Sequence, residues 1–316
     1  MKKYLFGVDI GGTTIKCGLF TSVGTVLDKW EIVTNKADAG KHILPDVART
    51  ITAKCKELGI HHDDIKGVGV GVPGPVTDEG AVLVGVNINW SSATPVKTIL
   101  KALLKVPVTV ANDANAAALG ELWLGAAKGA KNAVMFTLGT GVGGGIITHG
   151  KVIVGTNGAG GEIGHMPVVT TDGSLCNCGK FGCLETVASA TGIVRTTINY
   201  LSQSKATSTL RSFDEIVAKD VFDAALTGDL VALKMVDQLG FYLGLAAAQI
   251  ASVVDPEKII IGGGVARAGA ILLDSIKKHY LEHAFASVRG AEFVIAKLGN
   301  DAGIIGAAYM AKTEGA

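Results

Sequence analysis

Hydrophobic and polar residues alternate along the chain in short blocks that predict β-strands, and the longer blocks between them have the spacing of amphipathic helices. Residues 4–20 have the pattern of a strand, a glycine-rich turn and a second strand, and residues 134–147 repeat this pattern. In both copies the glycines allow the chain to turn back tightly where a side chain would clash. The repeat predicts two domains that are built alike.

The sequence between the two hairpins favours an α/β fold. Apolar residues recur at helical spacing up to Gly59, which is a helix stop signal. The predicted elements are strands at residues 26–34, 65–72 and 106–112, and helices at residues 47–58 and 114–124. Strands that alternate with helices are typical of an α/β sheet.

The second half of the chain is predicted to be mostly helical. Asp255 and Pro256 end the last helix of the series, because proline cannot continue a helix. The predicted elements are helices at residues 184–201, 213–226, 230–253 and 300–310, and a buried strand with a glycine-rich turn at residues 258–266.

The length of 316 residues exceeds what one hydrophobic core comfortably fills, so two domains are expected. We predict a small α/β domain from residues 1–112 plus a C-terminal helix at about 300–316. A large α/β domain is predicted at residues 113–299. No low-complexity linker separates them, which places the predicted hinge at residues 111–114.

The net charge of +1 and the scattered basic residues favour a small-molecule ligand over nucleic acid or a membrane surface. The N-terminal segment has two lysines and a short apolar run, without the longer apolar region and cleavage site of a signal peptide. No uncharged apolar stretch approaches the roughly 20 residues of a bilayer span. The sequence therefore predicts a cytoplasmic protein.

The glycine-rich turns are candidate phosphate-binding elements. Backbone N–H groups at glycines can approach phosphate oxygens closely, and hydroxyl and ammonium groups can add donors. Asp9 could hold Mg²⁺ through water, although an ordinary hairpin would explain one such turn equally well. Neither hairpin has the Walker A pattern or leads into a helix as a dinucleotide-binding turn does. The candidates are Asp9, Gly11, Gly12, Thr13, Thr14 and Lys16 in the first turn, Gly139, Thr140 and Gly141 in the second, and Gly262, Gly263 and Gly264 in a third element.

Acidic residues at the ends of predicted elements are candidates for proton transfer and polyol binding. Asn112 and Asp113 follow a strand, where open α/β sheets place ligand-binding groups. Asp113 could accept a proton from a hydroxyl group, but either residue is also a suitable N-cap for the next helix. Glu162 and Glu185 could accept hydrogen bonds from vicinal hydroxyls, or could serve as a loop cap and a helix-start acid.

His165, Cys176, Cys178 and Cys183 form a complete tetrahedral Zn²⁺ ligand set, with three thiolates and one imidazole. A site without an open position is structural. Nearby glycines give the loop the freedom to surround an ion, whereas thiols packed in a core would not lie in so polar a segment. The odd number of five cysteines also argues against a disulfide framework.

Several of these segments together resemble the ROK family. The segments are DIGGTTIK, VPGPV, NDANAAALGE, TLGTGVGGGI, GEIGH, CNCGKFGCLE and IIGGGVA, in family order. The resemblance covers nearly the whole chain. Its most specific part is GEIGH followed by the cysteine segment, whereas the glycine-rich turns alone also resemble the wider actin and hexokinase superfamily.

The resemblance implies two actin-like (ribonuclease H-like) α/β domains that close around a sugar, with MgATP between the hairpins and the adenosine near residues 262–264. It implies transfer of the ATP γ-phosphoryl group to the 6-hydroxyl of glucose, with Asp113 as catalytic base. A structural zinc loop would support the sugar pocket through His165. The positions that match the family's sugar-binding residues are Gly74, Asn112, Asp113, Glu162, His165 and Glu185.

Other functions remain open at this point. Asn87 could add a sugar contact or lie in a plain loop. Family kinases also act on fructose, allose or N-acetylmannosamine, and some relatives use polyphosphate as donor. A homodimer or homotetramer is expected. Family repressors carry an N-terminal helix-turn-helix, for which the first strand at about residue 4 leaves no room.

Overall fold

The computed structural model describes residues 2–314, so residues 1, 315 and 316 of the predicted small domain lie outside the described residues. Two five-stranded sheets organise the chain. The first contains β1 (Tyr4–Ile10), β2 (Thr14–Thr21), β3 (Val26–Val33), β4 (Ile65–Val72) and β5 (Val108–Asn112). The second contains β6 (Ala133–Leu138), β7 (Val142–Thr148), β8 (Lys151–Val152), β9 (Lys258–Gly262) and β10 (Glu292–Ile295).

The two sheets share one topology. Their strand orders are β3-β2-β1-β4-β5 and β10-β9-β6-β7-β8, which correspond strand for strand when the second is reversed. In each sheet the first three strands are antiparallel, and the first strand pairs in parallel with the fourth. The prediction of two domains built alike, made from the repeated hairpin, is confirmed.

Helices cover the sheets and create separate cores. The α-helices are α1 (Ala37–Gly40), α2 (Ile43–Leu58), α3 (Val96–Leu104), α4 (Asp113–Trp123), α5 (Glu185–Ala188), α6 (Ala190–Gln203), α7 (Ala218–Leu226), α8 (Leu230–Val254), α9 (Ala270–His283) and α10 (Ala302–Glu314). Short 3₁₀ turns lie at His62–Asp64, Val86–Ile88, Ile163–His165, Thr209–Ser212, Gly264–Ala268, Ala286–Val288 and Gly299–Asp301. Helices α2 and α3 pack on the first sheet, and α6 to α9 form the main core with the second.

Helices α4 and α10 lie between the two sheets and pack closely on each other. α10 also covers β1 and β4, whereas α4 contacts β7 of the second sheet. A Cβ atom at Gly306 would lie 1.6 Å from the carbonyl oxygen of Ala116, and one at Gly120 would lie 2.3 Å from that of Ala302. Glycine at these positions lets the backbones of the two helices touch, so α4 and α10 pack closely along their length.

The structure differs from the sequence predictions at several helices. The predicted helix at residues 184–201 is broken at Ser189, which has extended backbone dihedrals and accepts a hydrogen bond from the Gly192 N–H through its hydroxyl. The predicted helix at 213–226 starts only at Ala218. Gly59 ends α2 in the left-handed conformation, as predicted. Helix α3 and strand β10 had no prediction.

Helix α8 is the one helix among residues 2–314 that is long and apolar enough, by length and composition, to cross a membrane. The expectation that no such stretch exists is therefore wrong. Of the most apolar 18-residue stretch of this helix, 56% is buried inside the protein, where α8 packs against α7 and α9. Its apolar composition is explained by this core position, because a helix that is buried on most sides is apolar on most sides.

Candidate active site

The carboxyl ends of parallel strands from both sheets meet at a cleft of about 890 Å³. This follows from the topology, because the ends of β1, β4 and β5 lie at one edge of their sheet, as do those of β6, β9 and β10. Among the candidates from the sequence, the cleft is lined by Asp9, Lys16, Gly74, Asn87, Asn112, Asp113, Gly139, Gly141, Glu162, His165, Glu185 and Gly263.

The structure assigns the two roles that compete for Asn112 and Asp113. Asn112 is the N-cap of α4, and its Oδ1 accepts hydrogen bonds from the N–H groups of Ala114 at 2.9 Å and Asn115 at 3.2 Å. Its Nδ2 donates to the carbonyl oxygen of Gly74 at 3.2 Å, which fixes the loop after β4. Asp113 is the first residue of the helix and faces the cleft. Because Asn112 caps the helix, the carboxylate of Asp113 is not needed for that purpose.

The environment of Asp113 favours a proton-accepting carboxyl group. Burial raises its pKa, the negative charge of Glu162 raises it further, and the N–H of Ala114, which donates to Oδ1 at 2.8 Å, lowers it. The net shift is upward. A carboxyl group with a raised pKa is a stronger base when ionised, which suits proton abstraction near neutral pH.

Asp9, on β1, lies in the same cleft. Burial raises its pKa to about 6, with a further rise from the charge of Asp113 and an opposing effect from Lys16. Its carboxylate is close to the start of α10, since a Cβ at Gly303 would lie 2.6 Å from Oδ2. Two buried acids in one cleft create a negative potential that a divalent cation would neutralise.

Two further acids and one histidine face the cleft from the second sheet's side. His165 Nε2 lies 4.0 Å from Glu162 Oε2, and both side chains are partly exposed. Glu185, the first residue of α5, accepts a hydrogen bond from the N–H of Val142 at 3.1 Å. A Cβ at Gly141 would lie 2.0 Å from Glu185 Oε2, so glycine is required for this contact. Paired acceptors of this kind suit vicinal hydroxyl groups.

The four predicted metal ligands come together behind this group. The ligand atoms of His165, Cys176, Cys178 and Cys183 all lie within 4.8 Å of one another. The distance from Cys178 Sγ to Cys183 Sγ is 3.6 Å, and that from Cys176 Sγ to His165 Nδ1 is 3.5 Å. Around Zn²⁺ with Zn–S bonds of 2.3 Å, tetrahedral ligand atoms are about 3.8 Å apart. The cluster could hold such an ion.

The metal cluster is connected to the cleft through two side chains. His165 directs Nδ1 toward the thiols and Nε2 toward Glu162. The thiol of Cys176 donates a hydrogen bond to Glu185 Oε1, at a distance of 3.6 Å. Burial raises the pKa of the Cys176 thiol to about 12, so a cation is needed to hold it as a thiolate at neutral pH.

Some candidates do not line the cleft. Gly12 packs against Asn87, because a Cβ atom at Gly12 would lie 3.0 Å from the Asn87 carbonyl oxygen. Thr140 instead borders a second, more apolar cavity of about 450 Å³, and its carbonyl accepts a hydrogen bond from the Thr191 hydroxyl at 2.7 Å. The candidates outside the lining of the main cleft are Gly11, Gly12, Thr13, Thr14, Thr140, Gly262 and Gly264.

The cleft also contains residues that the sequence did not single out. Thr137, at the end of β6, and Asn300, before α10, are among its lining residues. Lys16 Nζ donates to the Asn300 carbonyl oxygen at 3.4 Å. Thr137 precedes the second glycine-rich turn, which was the only sequence signal for it. Asn300 is 284 residues away from Lys16 and carries no such signal.

The fold and the cleft define the class of protein. Two α/β halves of one topology have the architecture of the actin-like superfamily. Their shared cleft contains acidic residues, the second glycine-rich turn, and Asp9 and Lys16 on either side of the first. Asp9 near the end of β1 and Asp113 directly after β5 lie at the carboxyl ends of parallel strands, where α/β sheets place ligand-binding groups.

The chain belongs to the ROK family, whose sequence profile matches residues 5–314. The glucokinase of Halalkalibacterium halodurans is 48% identical over 320 residues, which cover 99% of this chain and 96% of that protein. The crystal structure of a ROK family glucokinase from Streptomyces griseus, in complex with glucose and AMPPNP, has a TM-score of 0.75 at 36% identity and covers 97% of this chain and 98% of that one.

A structure of a ROK family transcriptional regulator, described as a homolog of the E. coli MLC protein, has a TM-score of 0.85 at 30% identity. The match covers 100% of this chain and 80% of the regulator. The predicted family and the predicted fold of two actin-like α/β domains are thus confirmed.

Proposed function

We propose that this protein is a glucokinase, which transfers the γ-phosphoryl group of ATP to the 6-hydroxyl of glucose. The observation that carries the proposal is the position of Asp113 in a cleft that also contains Glu162, His165 and Glu185. Side chains that accept hydrogen bonds from hydroxyl groups can bind a sugar. A neighbouring carboxylate of raised pKa can then take a proton from one of its hydroxyls. The similarity to proteins named glucokinase supports glucose as the sugar.

In the proposed reaction, Asp113 accepts the proton of the 6-hydroxyl while the oxygen forms a bond to the γ-phosphorus. The bond between that phosphorus and the β,γ-bridging oxygen breaks, so that ADP leaves with the electron pair. Asn112 orients the Gly74 loop, and Glu162, His165 and Glu185 hold the remaining sugar hydroxyls. Asn87, which lines the same cleft, would add a further contact to the sugar.

The nucleotide is proposed to bind between the two glycine-rich turns. The N–H groups of Gly11 and Gly139 donate within their own turns, so other backbone N–H groups of the two turns would donate to phosphate oxygens, with Lys16 adding positive charge. The adenosine would lie toward residues 262–264, of which Gly263 lines the cleft. Asp9 would hold Mg²⁺ through water, and this ion, when bound, neutralises charge on the phosphoryl oxygens.

We also propose that the cysteine cluster holds a structural zinc ion. The fit of its donor distances to a tetrahedron supports this. His165 belongs to both sites, so the zinc loop would fix the imidazole for the sugar, as second-shell groups commonly do for metal ligands. The loop would support the site without taking part in the chemistry.

The proposal also includes a cytoplasmic location and a homodimer or homotetramer. It further includes ATP, in preference to polyphosphate, as the phosphate donor. The division into a small domain of residues 1–112 plus 300–316 and a large domain of residues 113–299 is part of it as well. The packing of α10 on the first sheet supports the inclusion of the C-terminal helix in the small domain.

A panel of acceptor sugars tests the proposed substrate. We expect ATP-dependent phosphorylation of glucose with a higher kcat/KM than of mannose, fructose, N-acetylmannosamine or N-acetylglucosamine. A site that hydrogen-bonds one pattern of hydroxyls rejects sugars that leave its buried polar groups unpaired. Equal kcat/KM values across the panel would exclude the glucokinase assignment, and polyphosphate in place of ATP serves as the donor control.

The pH dependence of kcat/KM tests the raised pKa of Asp113. The base must be ionised to accept a proton, so activity should fall as pH decreases through its pKa. Because burial raises this pKa, the acid limb should lie above the value of about 4 that is ordinary for aspartate. The measurement is kcat/KM for glucose at saturating MgATP over a pH range that begins below about 4. An acid limb at or below the ordinary aspartate value of about 4 would contradict the raised pKa.

A further inference from the structure

Glu121 is a charged residue of α4 whose side chain is 0% exposed. Both of its carboxylate oxygens accept hydrogen bonds from the backbone. Oε2 accepts from the N–H of Ala126 at 2.7 Å, and Oε1 accepts from the N–H of Leu298 at 2.8 Å. Burying a carboxylate costs free energy, and the hydrogen bonds from these two backbone N–H groups offset that cost.

The two donors belong to the two connections between the sheets. The chain passes from the first sheet to the second through α4 and the segment of residues 124–132. It returns after β10 through residues 296–301, and then enters α10 on the first sheet. Ala126 lies in the first connection and Leu298 lies in the second. The side chain of Glu121 therefore joins both connections. Glu121 and Leu298 are 177 positions apart in the sequence.

The surroundings of Glu121 keep it in this position. A Cβ at Gly125 would lie 2.0 Å from Oε2, so the turn after α4 needs glycine to pass the carboxylate. On the other side of the same turn, Lys258 Nζ of the second sheet donates to the Ala126 carbonyl oxygen at 3.3 Å. The N–H of Ala126 is thus held by α4, and its carbonyl oxygen is held by the second sheet.

The second connection leads directly to the cleft. Leu298 packs with the core cluster between α10 and the first sheet. Asn300, two residues later, lines the cleft and accepts a hydrogen bond from Lys16 Nζ. Asp113, which also lines the cleft, is at the other end of the helix that carries Glu121.

We infer that Glu121 is a positioning residue that holds both connections between the two sheets at one common pivot, and so sets how the cleft between the sheets closes on the sugar. The inference relies on the proposed function only for its kinetic readout. A firm pivot restricts the two sheets, with the helices that cover them, to rotation about one axis. This returns Asp9 and Lys16 of the first sheet and the second glycine-rich turn to the same relative position at each closure.

Glu121→Met and Glu121→Gln test the inference as a graded pair. Methionine of similar size offers no oxygen to either N–H, whereas glutamine keeps one acceptor oxygen. Backbone hydrogen exchange, measured by mass spectrometry on the full chain without ligands, should be faster in both segments 124–130 and 296–301 for the methionine variant. The glutamine variant should show a smaller effect. Exchange as slow as in the wild type in either segment would overturn the pivot.

The kinetic readout separates positioning from general loss of stability. A smaller closed population raises the apparent KM in proportion, so KM for glucose should rise about tenfold in Glu121→Met. Saturating glucose draws the protein into the closed state, so kcat should change by less than about threefold. Leu239→Ala, a cavity variant in the core of α8, should lower the unfolding temperature at an unchanged KM.

An unchanged KM in the Glu121 variants, or an equal rise in Leu239→Ala, would overturn the inference. The acid limb of the pH profile should stay in place, because the surroundings of Asp113 are not altered. If the wild-type protein phosphorylates no sugar of the panel, the proposed function fails, and the exchange measurement alone decides whether Glu121 holds the pivot.

Discussion

Asp113→Asn should lower kcat by about a hundredfold or more while the fold and the metal content stay unchanged, since a positioned general base contributes about 10² to 10⁴. The amide cannot accept the hydroxyl proton. The helix should not suffer, because Asn112 supplies the N-cap hydrogen bonds to Ala114 and Asn115. The measurement is kcat at saturating glucose and MgATP, together with the unfolding temperature.

The sign of the stability effect can also be stated. The pKa of Asp113 is raised in the folded protein, so the stability that its protonated form contributes is lost as pH rises through that pKa. At pH 8 the ionised, buried carboxylate is a cost, and Asp113→Asn should not lower the unfolding temperature. Asp46→Asn, in the first turn of α2, is the matched control and should keep wild-type kcat. A near wild-type kcat in Asp113→Asn would dismiss Asp113 as the base.

Cys178→Ser should remove the metal from the chain and destabilise the protein. We expect the wild type to contain about one zinc per chain, the number that one closed four-ligand site binds. A ligand that binds only the folded state stabilises it by about 4 kcal/mol at a thousandfold excess over Kd. Loss of the ion should lower the unfolding temperature accordingly. It should also raise KM for glucose, because His165 would lose the partner that fixes its ring.

Cys55→Ser is the control for this variant, since Cys55 is a half-buried free thiol that belongs to the core of the first domain. It should retain zinc and wild-type KM. Elemental analysis and thermal unfolding, each with and without a chelator, are the measurements. A wild-type protein that lacks zinc and is fully active would refute the metal site.

The motifs themselves predicted much of the site. The glycine-rich turns, Gly74 and Asp113 follow strand patterns, and the carboxyl ends of parallel strands meet at one edge of a sheet. Gly74 and Asp113 could therefore be expected in one place, whereas Glu162 and Glu185 were expected there only through the family resemblance. The candidate metal ligands were predictable for a different reason, because three of them lie within eight residues and have few other uses in such a segment.

The roles of neighbouring residues required the three-dimensional structure. Asn112 and Asp113 are both suitable caps and both polar, so their sequence could not distinguish them. The distances of 2.9 and 3.2 Å from Asn112 to the helix N–H groups assign the cap. The break at Ser189 was hidden for the same reason, since its capping of Gly192 depends on where the chain turns rather than on hydrophobic spacing.

By itself the sequence determined the duplicated α/β plan, the strand ends that carry Asp9 and Asp113, and the candidate metal-binding loop, because these depend on short-range periodicity and on side-chain chemistry. Only the tertiary structure decided that Asn112 caps α4 and that Thr140 borders a different cavity. It also decided that Asn300 lines the cleft and that Glu121 accepts hydrogen bonds from Ala126 and Leu298. Glu121 shows the physical reason. Its two hydrogen bonds join it to residues 5 and 177 positions away, and a contact of such separation leaves no pattern along the chain.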